Sequence, residues 1–514
     1  MPTRAGSSGS AFVFRKAADA LARPAPGRAV WVTAALVGAA AGLGQAPVYL
    51  PVATVAAFAA LLVLLGRAAS PRRAGWLGWT AGTGYFALTL SWIVEPFLVD
   101  IARHGWMAPF ALVFLSAGLA LFWGAAFAAA AWLGGPSRGA RALAVAVTLS
   151  IAELLRSYIL TGFPWALPGH AWVGWPPMQL ASLVGAQGLT LLTLGLTAIG
   201  VALWPRRGAL AGLAAVVAGV FAAGYLIGRP MPVTEGRPVA RLVQPNIPQD
   251  IKWDADLAAE HFERYLAATA GGGADIVIWP ETAIPYLLND AGPALDRIAR
   301  AAGVPVILGM QRWEAGRYYN SLVVLDETAN VTELYDKVHL VPFGEYVPAP
   351  WLMERIGLDI FTADMGYGYS FGPALRLIEG GPLGAVLPLI CYEAVFPQDI
   401  HGVAGRADVM VQITNDAWFG HVSGPYQHLA QARLRAVEQG VPLIRVANTG
   451  VSAVIGPKGR VLDSIPLDQA GAIDVAVPAP RAATLYSRTG DTPVMLLLAL
   501  FAFGLFLRRL RILR

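Results

Sequence analysis

Three segments of the chain carry side chains that could take part in bond-breaking chemistry. Glu281 and Cys391 each come directly after a short apolar run that predicts a buried strand. Lys337 and Glu345 lie between them, in a segment rich in Pro and aromatic residues. Because α/β sites assemble at the carboxyl ends of parallel strands, we expect these groups to meet at one edge of a sheet.

A thiol reaction in this chain would have a single nucleophile, because Cys391 is the only cysteine. A lone Cys more often packs as a small hydrophobic residue, so that alternative stays open. The chain has only four lysines, and Lys337 is retained inside the Pro- and aromatic-rich loop, which indicates a need for a compact, tunable ammonium. One Cys excludes an intrachain disulfide, and the seven scattered His residues give no metal-ligand spacing. We expect neither a metal nor another cofactor.

The candidate groups belong to a polar segment, residues 229–491, in which short apolar runs alternate with amphipathic stretches. Such a pattern predicts an α/β domain with buried strands and crossover helices. The candidate strands are residues 239–243, 275–279, 304–310, 321–325, 384–390, 408–413, 443–446 and 452–455. The candidate helices are residues 255–270, 291–302, 397–404 and 426–438.

The rest of the chain has a different composition. Overall, 56% of the residues are hydrophobic and 14% are charged, against about 25% charged residues in a typical soluble domain. Residues 1–228 and 492–514 together hold 18 basic and 4 acidic residues, whereas residues 229–491 hold 20 basic and 29 acidic residues. The net charge of +5 therefore combines a basic apolar part with an acidic polar domain, which makes a nucleic-acid-binding protein the weakest interpretation.

The apolar part predicts a polytopic α-helical membrane domain of about eight spans, since one span needs about 20 apolar residues. Residues 29–66 lack charged side chains and allow two spans; the other apolar runs are 74–98, 107–134, 141–160, 177–204, 208–228 and 493–508. A cleavable signal peptide is the alternative for the first run, but a polytopic protein would still remain. We predict seven spans in residues 1–228, a catalytic domain in residues 229–491, and a last span with a basic tail in residues 492–514.

Basic residues predict the orientation of these spans. Arginines cluster in residues 4–28, 67–73, 138–141, 206–207 and 508–514, whereas the intervening loops carry only Arg103. The positive-inside rule then places both termini in the cytoplasm. Because seven spans precede the polar domain, we expect that domain on the opposite, extracytoplasmic side.

Two features of the apolar part stand out. Glu153 and Arg156 are three residues apart, which places them on one face of a helix; a structural ion pair is the simpler interpretation, and translocation charges of a transporter are the other. Residues 161–175 are rich in Trp, Gly and Pro. An aromatic belt at the membrane surface would explain them, and so would a re-entrant loop that contacts the polar domain or a lipid.

The motifs resemble those of a known family. Residues 279–281 (Trp-Pro-Glu), 336–345 and 390–393 (Ile-Cys-Tyr-Glu) resemble the Glu-Lys-Cys triad segments of the nitrilase superfamily. Further similar segments are Gly162–Trp165, Val243–Pro248, Asn415–Gly420, Gln427–His428 and Ala432–Arg435. Combined with the predicted topology, they resemble the apolipoprotein N-acyltransferase family over nearly the whole chain.

This resemblance implies an αββα sandwich for the polar domain and a bacterial inner-membrane enzyme with that domain on the periplasmic side. The implied reaction moves an acyl chain from a phospholipid to the α-amino group of a diacylated apolipoprotein. Cys391 would carry the acyl chain as a thioester, and Glu281 would act as general base. Lys337 and the backbone N–H of Tyr392 would stabilise the oxyanion.

Other residues have expected supporting roles. Glu345 would orient Lys337, or only stabilise its loop, while Tyr392 and Glu393 would shape the pocket around the nucleophile. Candidates for lining an acyl or head-group route are Trp253, Phe343, Tyr346, Trp418 and Phe419, with plain packing as the alternative. Asn415 and Asp416 would order the site or make a turn. We expect His421 and His428 to be structural.

Two other functions stay open on the sequence alone. A membrane-tethered amidase of the nitrilase type would use the same triad with water as acceptor. A transporter with an external α/β domain would instead use Glu153 and Arg156, although the spans contain almost no other ionisable residues. We expect contact with the lipid bilayer, no nucleic-acid partner, and a monomer, although the sequence does not determine the oligomeric state.

Overall fold

The computed structural model describes residues 27–230, 236–349 and 368–513, together with Trp351 and Arg355. Every predicted apolar run forms a helix within these ranges; the basic residues of the N-terminal segment 4–23 lie outside them. The helices are α1 (Ala29–Ala41), α2 (Pro51–Leu65), α3 (Pro71–Thr89), α4 (Ala108–Gly134), α5 (Arg138–Tyr158), α6 (Ala181–Leu203), α7 (Arg207–Ile227) and, after the polar domain, α11 (Thr492–Leu513).

Local sequence explains where several of these helices begin. Pro51 and Pro71 occupy the first turn of α2 and α3, where the missing N–H is not needed. Ser70 and Ser137 cap α3 and α5, since each side-chain oxygen accepts a backbone N–H of the first turn at 3.3 Å. The proline at 51 therefore divides the long apolar run 29–66 into two short helices.

Four described segments are long and apolar enough to cross a membrane: 101–134, 176–203, 207–227 and 492–512. The helices α1 and α2 are apolar but shorter. The described part of the chain thus has four helices at predicted positions that are long and apolar enough to span a membrane, and the count of eight spans stays a prediction.

Helix α7 is only loosely attached to the rest of the bundle. Gly224 is its one buried residue, and a Cβ at that position would lie 2.2 Å from the carbonyl oxygen of Pro176. This glycine lets the helix approach the segment Pro176–Leu180 closely. The remaining α7 residues are exposed or half-buried, and the ring of Phe221 packs against Trp172.

The polar segment folds as the α/β domain that its periodicity predicts. Its strands are β1 (Val239–Gln244), β2 (Ile276–Ile278), β3 (Val306–Glu314), β4 (Arg317–Leu325), β5 (Val331–Asp336), β6 (Ile378–Glu379), β7 (Ala385–Ile390), β8 (Val409–Thr414), β9 (Leu443–Ala447), β10 (Ser452–Ile455), β11 (Val461–Ile465) and β12 (Gly471–Ala476). Its longer helices are α8 (Ala258–Thr269), α9 (Gly292–Ala302) and α10 (Gly424–Gln439). Two five-residue helices, Pro397–His401 and Leu485–Thr489, complete it.

The strands form two six-stranded sheets with the same plan. The first sheet has the order β12-β1-β2-β3-β4-β5, and the second has the order β11-β10-β9-β8-β7-β6. In each sheet three adjacent strands are parallel, β1 to β3 in one and β7 to β9 in the other, and the outer pairs are antiparallel. Glu281 follows β2 and Cys391 follows β7, so each sheet contributes one candidate group from the end of a parallel strand.

Strands β5, β6, β11 and β12 were absent from the sequence-based assignment. In β11 and β12 charged and exposed residues alternate with partly buried ones, so neither strand contains a continuous apolar run. They lie at or next to the outer positions of the sheets, where one face meets solvent and the sequence signal is weak.

The membrane part and the α/β domain pack against each other directly. One hydrophobic cluster contains Trp92 and Trp165 from the membrane part and Phe396 and Phe419 from the α/β domain. The indole N–H of Trp165 donates to the side chain of Gln427 at 2.6 Å. The segment 161–175 therefore contacts the polar domain, as one of its two interpretations predicts.

Candidate active site

Glu281 is held at the end of β2 by contacts on several sides. Its Oε1 accepts from Asn320 Nδ2 at 2.7 Å, and its Oε2 accepts from the backbone N–H of Asn415 at 3.1 Å. Behind it, a Cβ on Gly309 of β3 would lie 2.6 Å from the Glu281 Cα. The glycine therefore allows β3 to pass directly against the backbone at Glu281, a residue that is 6% exposed.

Lys337 follows the last residue of β5, and its ammonium reaches Glu281. The Nζ lies 3.2 Å from Glu281 Oε1 and 2.8 Å from Glu345 Oε1, and the side chain is fully buried. Burial alone would lower the pKa of Lys337, but the carboxylates of Glu281 and Glu345 outweigh it and raise that pKa well above its ordinary value. The side chain is thus a permanent cation shared by two carboxylates.

Cys391 occupies the turn immediately after β7. Its φ is +52°, a left-handed conformation that few residues other than glycine adopt, and the residue is 5% exposed. Burial raises the pKa of the Cys391 thiol, and the nearby Glu281 carboxylate adds to this effect. Lys337 and a hydrogen bond from Thr414 oppose it. The resting group is therefore a thiol, and its attack requires a base.

The three groups come from both sheets and interact with one another. Glu281 and Lys337 share a salt bridge, and both act electrostatically on the Cys391 thiol. A base, a cation and a thiol in one buried place can form and break a thioester, because the cation stabilises the negative charge that develops on a carbonyl oxygen.

Glu345 lies in the loop after Lys337 and contacts it directly. Its Oε1 accepts from Lys337, and its Oε2 accepts from the backbone N–H of Val341 at 2.8 Å. Asn320, which the sequence reading missed, donates to both Glu281 and Glu345 through the same Nδ2, at 2.7 and 3.2 Å. These bonds fix the distance between the two carboxylates that share the ammonium.

Glu393 points away from the reacting groups and braces the site from behind. Its Oε1 accepts from Tyr335 Oη at 2.7 Å and from the backbone N–H groups of Val338 and His339 at 2.6 and 3.2 Å. Its Oε2 accepts from the backbone N–H of Ile390 at 2.7 Å. Burial raises the pKa of Glu393 against these bonds. The side chain thereby ties the Lys337 loop to the nucleophile turn.

Tyr392 packs its ring near Phe396, with centroids 4.8 Å apart, and near the ring of His339. It is buried, so it forms a wall beside Cys391. Its backbone N–H lies in the first turn of a short 3₁₀ helix that begins at Cys391. The N–H groups of a first helical turn lack intrahelical acceptors, which suits an oxyanion donor.

A buried polar network supports the carbonyl of Cys391. That oxygen accepts from Gln412 Nε2 at 3.0 Å and lies 3.1 Å from His428 Nε2. The other ring nitrogen of His428 lies 3.0 Å from Asp416, which also pairs with Arg445. His428 and Asp416 therefore hold the backbone of the turn that carries Cys391.

Asn415 carries a second function besides its backbone bond to Glu281. Its side-chain amide donates to Gln249 at 2.7 Å and accepts from Asn448 at 3.0 Å. These bonds link the β8 end to loops that follow β1 and β9. His421 lies at the surface, 2.8 Å from Asp468.

The predicted aromatic candidates divide into two groups. In the first group, the exposed fractions are 47% for Trp253, 51% for Phe343 and 39% for Trp418. Tyr346 belongs with them and packs edge-to-face against Phe371, with ring centroids 5.0 Å apart. Phe419 is instead buried in the cluster between the membrane part and the α/β domain. The first group can contact a ligand that approaches from outside, whereas Phe419 is packing.

The Glu153–Arg156 pair is buried at the end of α5. Arg156 Nε lies 3.1 Å from Glu153 Oε2, and its Nη1 donates to the carbonyl oxygens of Phe163 and Trp165. Glu153 also accepts from the indole N–H of Trp123 at 2.6 Å. The pair therefore fixes the loop that contacts the α/β domain, which is a structural role.

Two site residues left weak signals in the sequence. Asn320 lies in β4 next to Ser321, just before the apolar residues 322–325, and a buried amide in such a place indicates a specific partner. Lys252 is buried next to Glu281, although its sequence neighbourhood is polar. In the described ranges, no group of three or more His, Cys, Asp or Glu side chains could hold a metal ion.

Known proteins match both parts of the chain. Residues 239–486 match the Carbon-nitrogen hydrolase family, and residues 37–200 match the Apolipoprotein N-acyltransferase N-terminal domain. The apolipoprotein N-acyltransferase of Rhodopseudomonas palustris is 39% identical over 93% of this chain and 95% of its own length. That of Caulobacter vibrioides is 40% identical over 90% and 92%.

Among solved structures, a CN-hydrolase superfamily protein from Xanthomonas campestris is 20% identical, with a TM-score of 0.35 over 51% of this chain and 96% of its own. An amidase from Nesterenkonia sp. AN1 is 18% identical, with a TM-score of 0.36 over 52% and 98%.

Proposed function

The chain belongs to the apolipoprotein N-acyltransferase family, and from this premise we infer an acyltransferase that works through Cys391. It takes an acyl chain from a phospholipid and transfers it to the α-amino group of the N-terminal diacylglyceryl-cysteine of a lipoprotein. We assign the reaction to these residues because Glu281 and Lys337 form a salt bridge and both act on Cys391, the only thiol of the chain.

In the first half-reaction, Glu281 removes the proton of Cys391 as the sulfur attacks the ester carbonyl of the phospholipid. Lys337 and the backbone N–H of Tyr392 stabilise the oxyanion of the tetrahedral intermediate. The intermediate collapses, the C–O bond breaks, and the proton passes from Glu281 to the leaving lysophospholipid alkoxide. A thioester on Cys391 remains.

In the second half-reaction, the neutral α-amine attacks the thioester and Glu281 accepts the amine proton. The C–S bond breaks, the thiolate leaves beside the Lys337 ammonium, and Glu281 returns the proton to the sulfur. The products are an amide and the resting thiol, so no cofactor is consumed. Glu345 keeps Lys337 in place throughout, from its position 2.8 Å away.

The membrane part suits this reaction because both substrates carry acyl chains. Extraction of a lipid into water costs about 0.8 kcal/mol per CH₂ group, which is prohibitive for a long chain. A site that packs directly on membrane helices through Trp165 and its neighbours spares that cost. Both substrates can then arrive by lateral diffusion.

We propose eight spans, with both termini in the cytoplasm and the α/β domain on the periplasmic side of a bacterial inner membrane. Basic ends of the helices lie together, which supports this topology: Arg141 at the start of α5 donates to the carbonyl of Ala68 at 2.7 Å. At the opposite end of α5, Tyr158 donates to Asp491 of the α/β domain at 2.8 Å. At 1.5 Å per residue, the 21 residues of α5 cover about 30 Å, the thickness of a hydrocarbon core.

The test of the reaction is an intact-mass measurement on protein purified in phospholipid micelles. We expect one acyl adduct on wild-type protein, released by hydroxylamine, and none on Cys391→Ala. Addition of a diacylated lipopeptide should remove the adduct and yield a triacylated peptide. Absence of the adduct from wild type, or an adduct on Cys391→Ala, would contradict the mechanism; release by water at the same rate without lipopeptide would indicate the amidase alternative.

The test of the topology is proteolysis from outside. A membrane-impermeant protease added to spheroplasts should cut within residues 229–491 and leave an epitope after Arg514 intact. The reverse pattern would show that the number of spans before the α/β domain is even.

A further inference from the structure

Lys252 is a buried cation close to Glu281 that the reaction above does not use. It follows β1 in the loop that also carries Trp253, and it is 6% exposed. Its Nζ lies 3.3 Å from the carbonyl oxygen of Glu281 and 3.1 Å from Thr282 Oγ1. Among the described residues, Lys337 forms ion pairs with carboxylates, whereas Lys252 forms none. The Lys252 ammonium therefore donates to two neutral oxygens.

A buried ammonium with neutral partners is costly, which makes packing a poor explanation for it. Burial lowers the pKa of Lys252 to about 8, and the Glu281 carboxylate only partly compensates. The ring of Trp253 lies over the ammonium at 5.3 Å, which is a weak favourable contact. A methionine of similar length would avoid the cost of the charge.

The two oxygens belong to the turn that presents Glu281. Thr282 has a φ of +45°, which is rare for a β-branched residue and persists only when the surroundings enforce it. Gly309 presses on this turn from β3, and its N–H donates to the carbonyl of Pro280 at 3.1 Å. On the opposite side, Lys252 donates to the Glu281 carbonyl and the Thr282 hydroxyl. The turn at residues 280–282 is therefore held between β3 and the Lys252 ammonium.

We propose that Lys252 is a positioning residue for Glu281: by binding the Glu281 carbonyl and the Thr282 hydroxyl, it aims the carboxylate at the thiol of Cys391. The inference rests on the proposed function, in which Glu281 is the base. Lys252 then affects the rate of acylation through Glu281 and does not contact the phospholipid.

The first experiment measures acylation of Cys391 in Lys252→Met and in the control Lys458→Met, which removes the partly exposed lysine of the same domain. A displacement of about 1 Å in a reacting group costs about 10²-fold in rate. We therefore expect acylation in Lys252→Met to slow by about 10²-fold, with the half-saturating phospholipid concentration within about threefold of wild type. Lys458→Met should match wild type.

Thr282 gives a second pair of variants if Lys252→Met does not fold, which elution volume and thermal unfolding will show. Thr282→Ala removes the hydroxyl that Lys252 binds, and Thr282→Ser keeps it. We expect Thr282→Ala to slow acylation and Thr282→Ser to restore it to near the wild-type rate. Equal rates in the two variants would overturn the proposal.

Alkylation of Cys391 by iodoacetamide separates this inference from the proposed function, because it needs no phospholipid. If Lys252 aims Glu281, Lys252→Met should shift the pH profile of alkylation in the same direction as Glu281→Gln does. A folded Lys252→Met protein with the wild-type alkylation profile and acylation rate would overturn the proposal, and so would a change confined to the phospholipid concentration dependence. A wild-type protein that never acquires an acyl chain would refute the proposed function, while the alkylation shift would still decide the role of Lys252.

Discussion

Two of the buried charge clusters in the molecule differ in balance. In the membrane part, Glu153 and Arg156 form one anion–cation pair, and the guanidinium of Arg156 also donates to backbone carbonyl oxygens of a loop. In the α/β domain, one cation, Lys337, is shared by Glu281 and Glu345.

In the Glu153–Arg156 pair the two charges neutralise each other, so the pair stabilises a loop. The second cluster has an excess negative charge beside a thiol, which suits proton transfer. Charge balance, and not burial, distinguishes the structural cluster from the reactive one.

The largest effect should follow from the loss of the shared cation. Lys337→Met leaves two buried carboxylates without a counterion and removes the oxyanion donor, so acylation of Cys391 should fall by about 10³-fold or more. Intact-mass kinetics will measure it, with Lys458→Met as control. A loss below about tenfold would mean that the cluster does not depend on its cation.

The balanced pair should respond in stability and not in chemistry. Arg156→Met strands the Glu153 carboxylate in an apolar region and should cost about 3–5 kcal/mol of folding free energy. Thermal unfolding in detergent will show it as a lower Tm. The double variant Glu153→Gln with Arg156→Met should recover part of the loss, whereas a double variant as unstable as the single one would contradict the pairing.

Glu345→Gln tests whether the excess charge itself matters. The amide leaves the cluster neutral and has a single acceptor oxygen, so Lys337 and the Val341 N–H, which bind different oxygens of Glu345, cannot both keep their bond. We expect acylation to slow by about 10- to 100-fold, because Glu281 is then the only anion paired with Lys337. If the rate is unchanged, Glu345 only stabilises its loop, which is the alternative that the sequence left open.

The smallest effect concerns the protonation of the thiol. Because Glu281 raises the pKa of Cys391 and Lys337 lowers it, Glu281→Gln should move the pH profile of iodoacetamide alkylation to lower pH. Lys337→Met should move it to higher pH. In wild type, alkylation should keep rising through pH 9 without a plateau, since the pKa of the thiol lies above the ordinary value of about 8.5. Shifts in one direction for both variants would contradict the opposed charges.

The sequence signals for the candidate triad are stronger than those for the residues around it. Cys391 is the only cysteine and Lys337 is one of four lysines, while Glu281 and Cys391 each follow a predicted apolar strand. Asn320 and Lys252 gave weaker signals, because their partners lie 39 and 29 residues away and become visible only when the strands are arranged.

Glu393 lies beside Cys391, which predicted a pocket-shaping residue, and that role stays a prediction. Its carboxylate accepts from the backbone N–H groups of Val338 and Ile390. Adjacency in sequence does not tell on which side of a turn a side chain lies. Edge strands such as β12 were missed for a related reason, since only one of their faces is apolar.

Helix α7 has a consequence for how much sequence change the protein tolerates. Gly224 is its one buried residue, and the other positions are exposed or half-buried, with Phe221 packed against Trp172. A saturation library over residues 208–226 should therefore accept almost any apolar residue at exposed positions such as 208, 212 and 219, and few residues other than Gly at 224. At the exposed positions of this helix, the need for an apolar side chain would limit sequence variation far more than the shape of the side chain would.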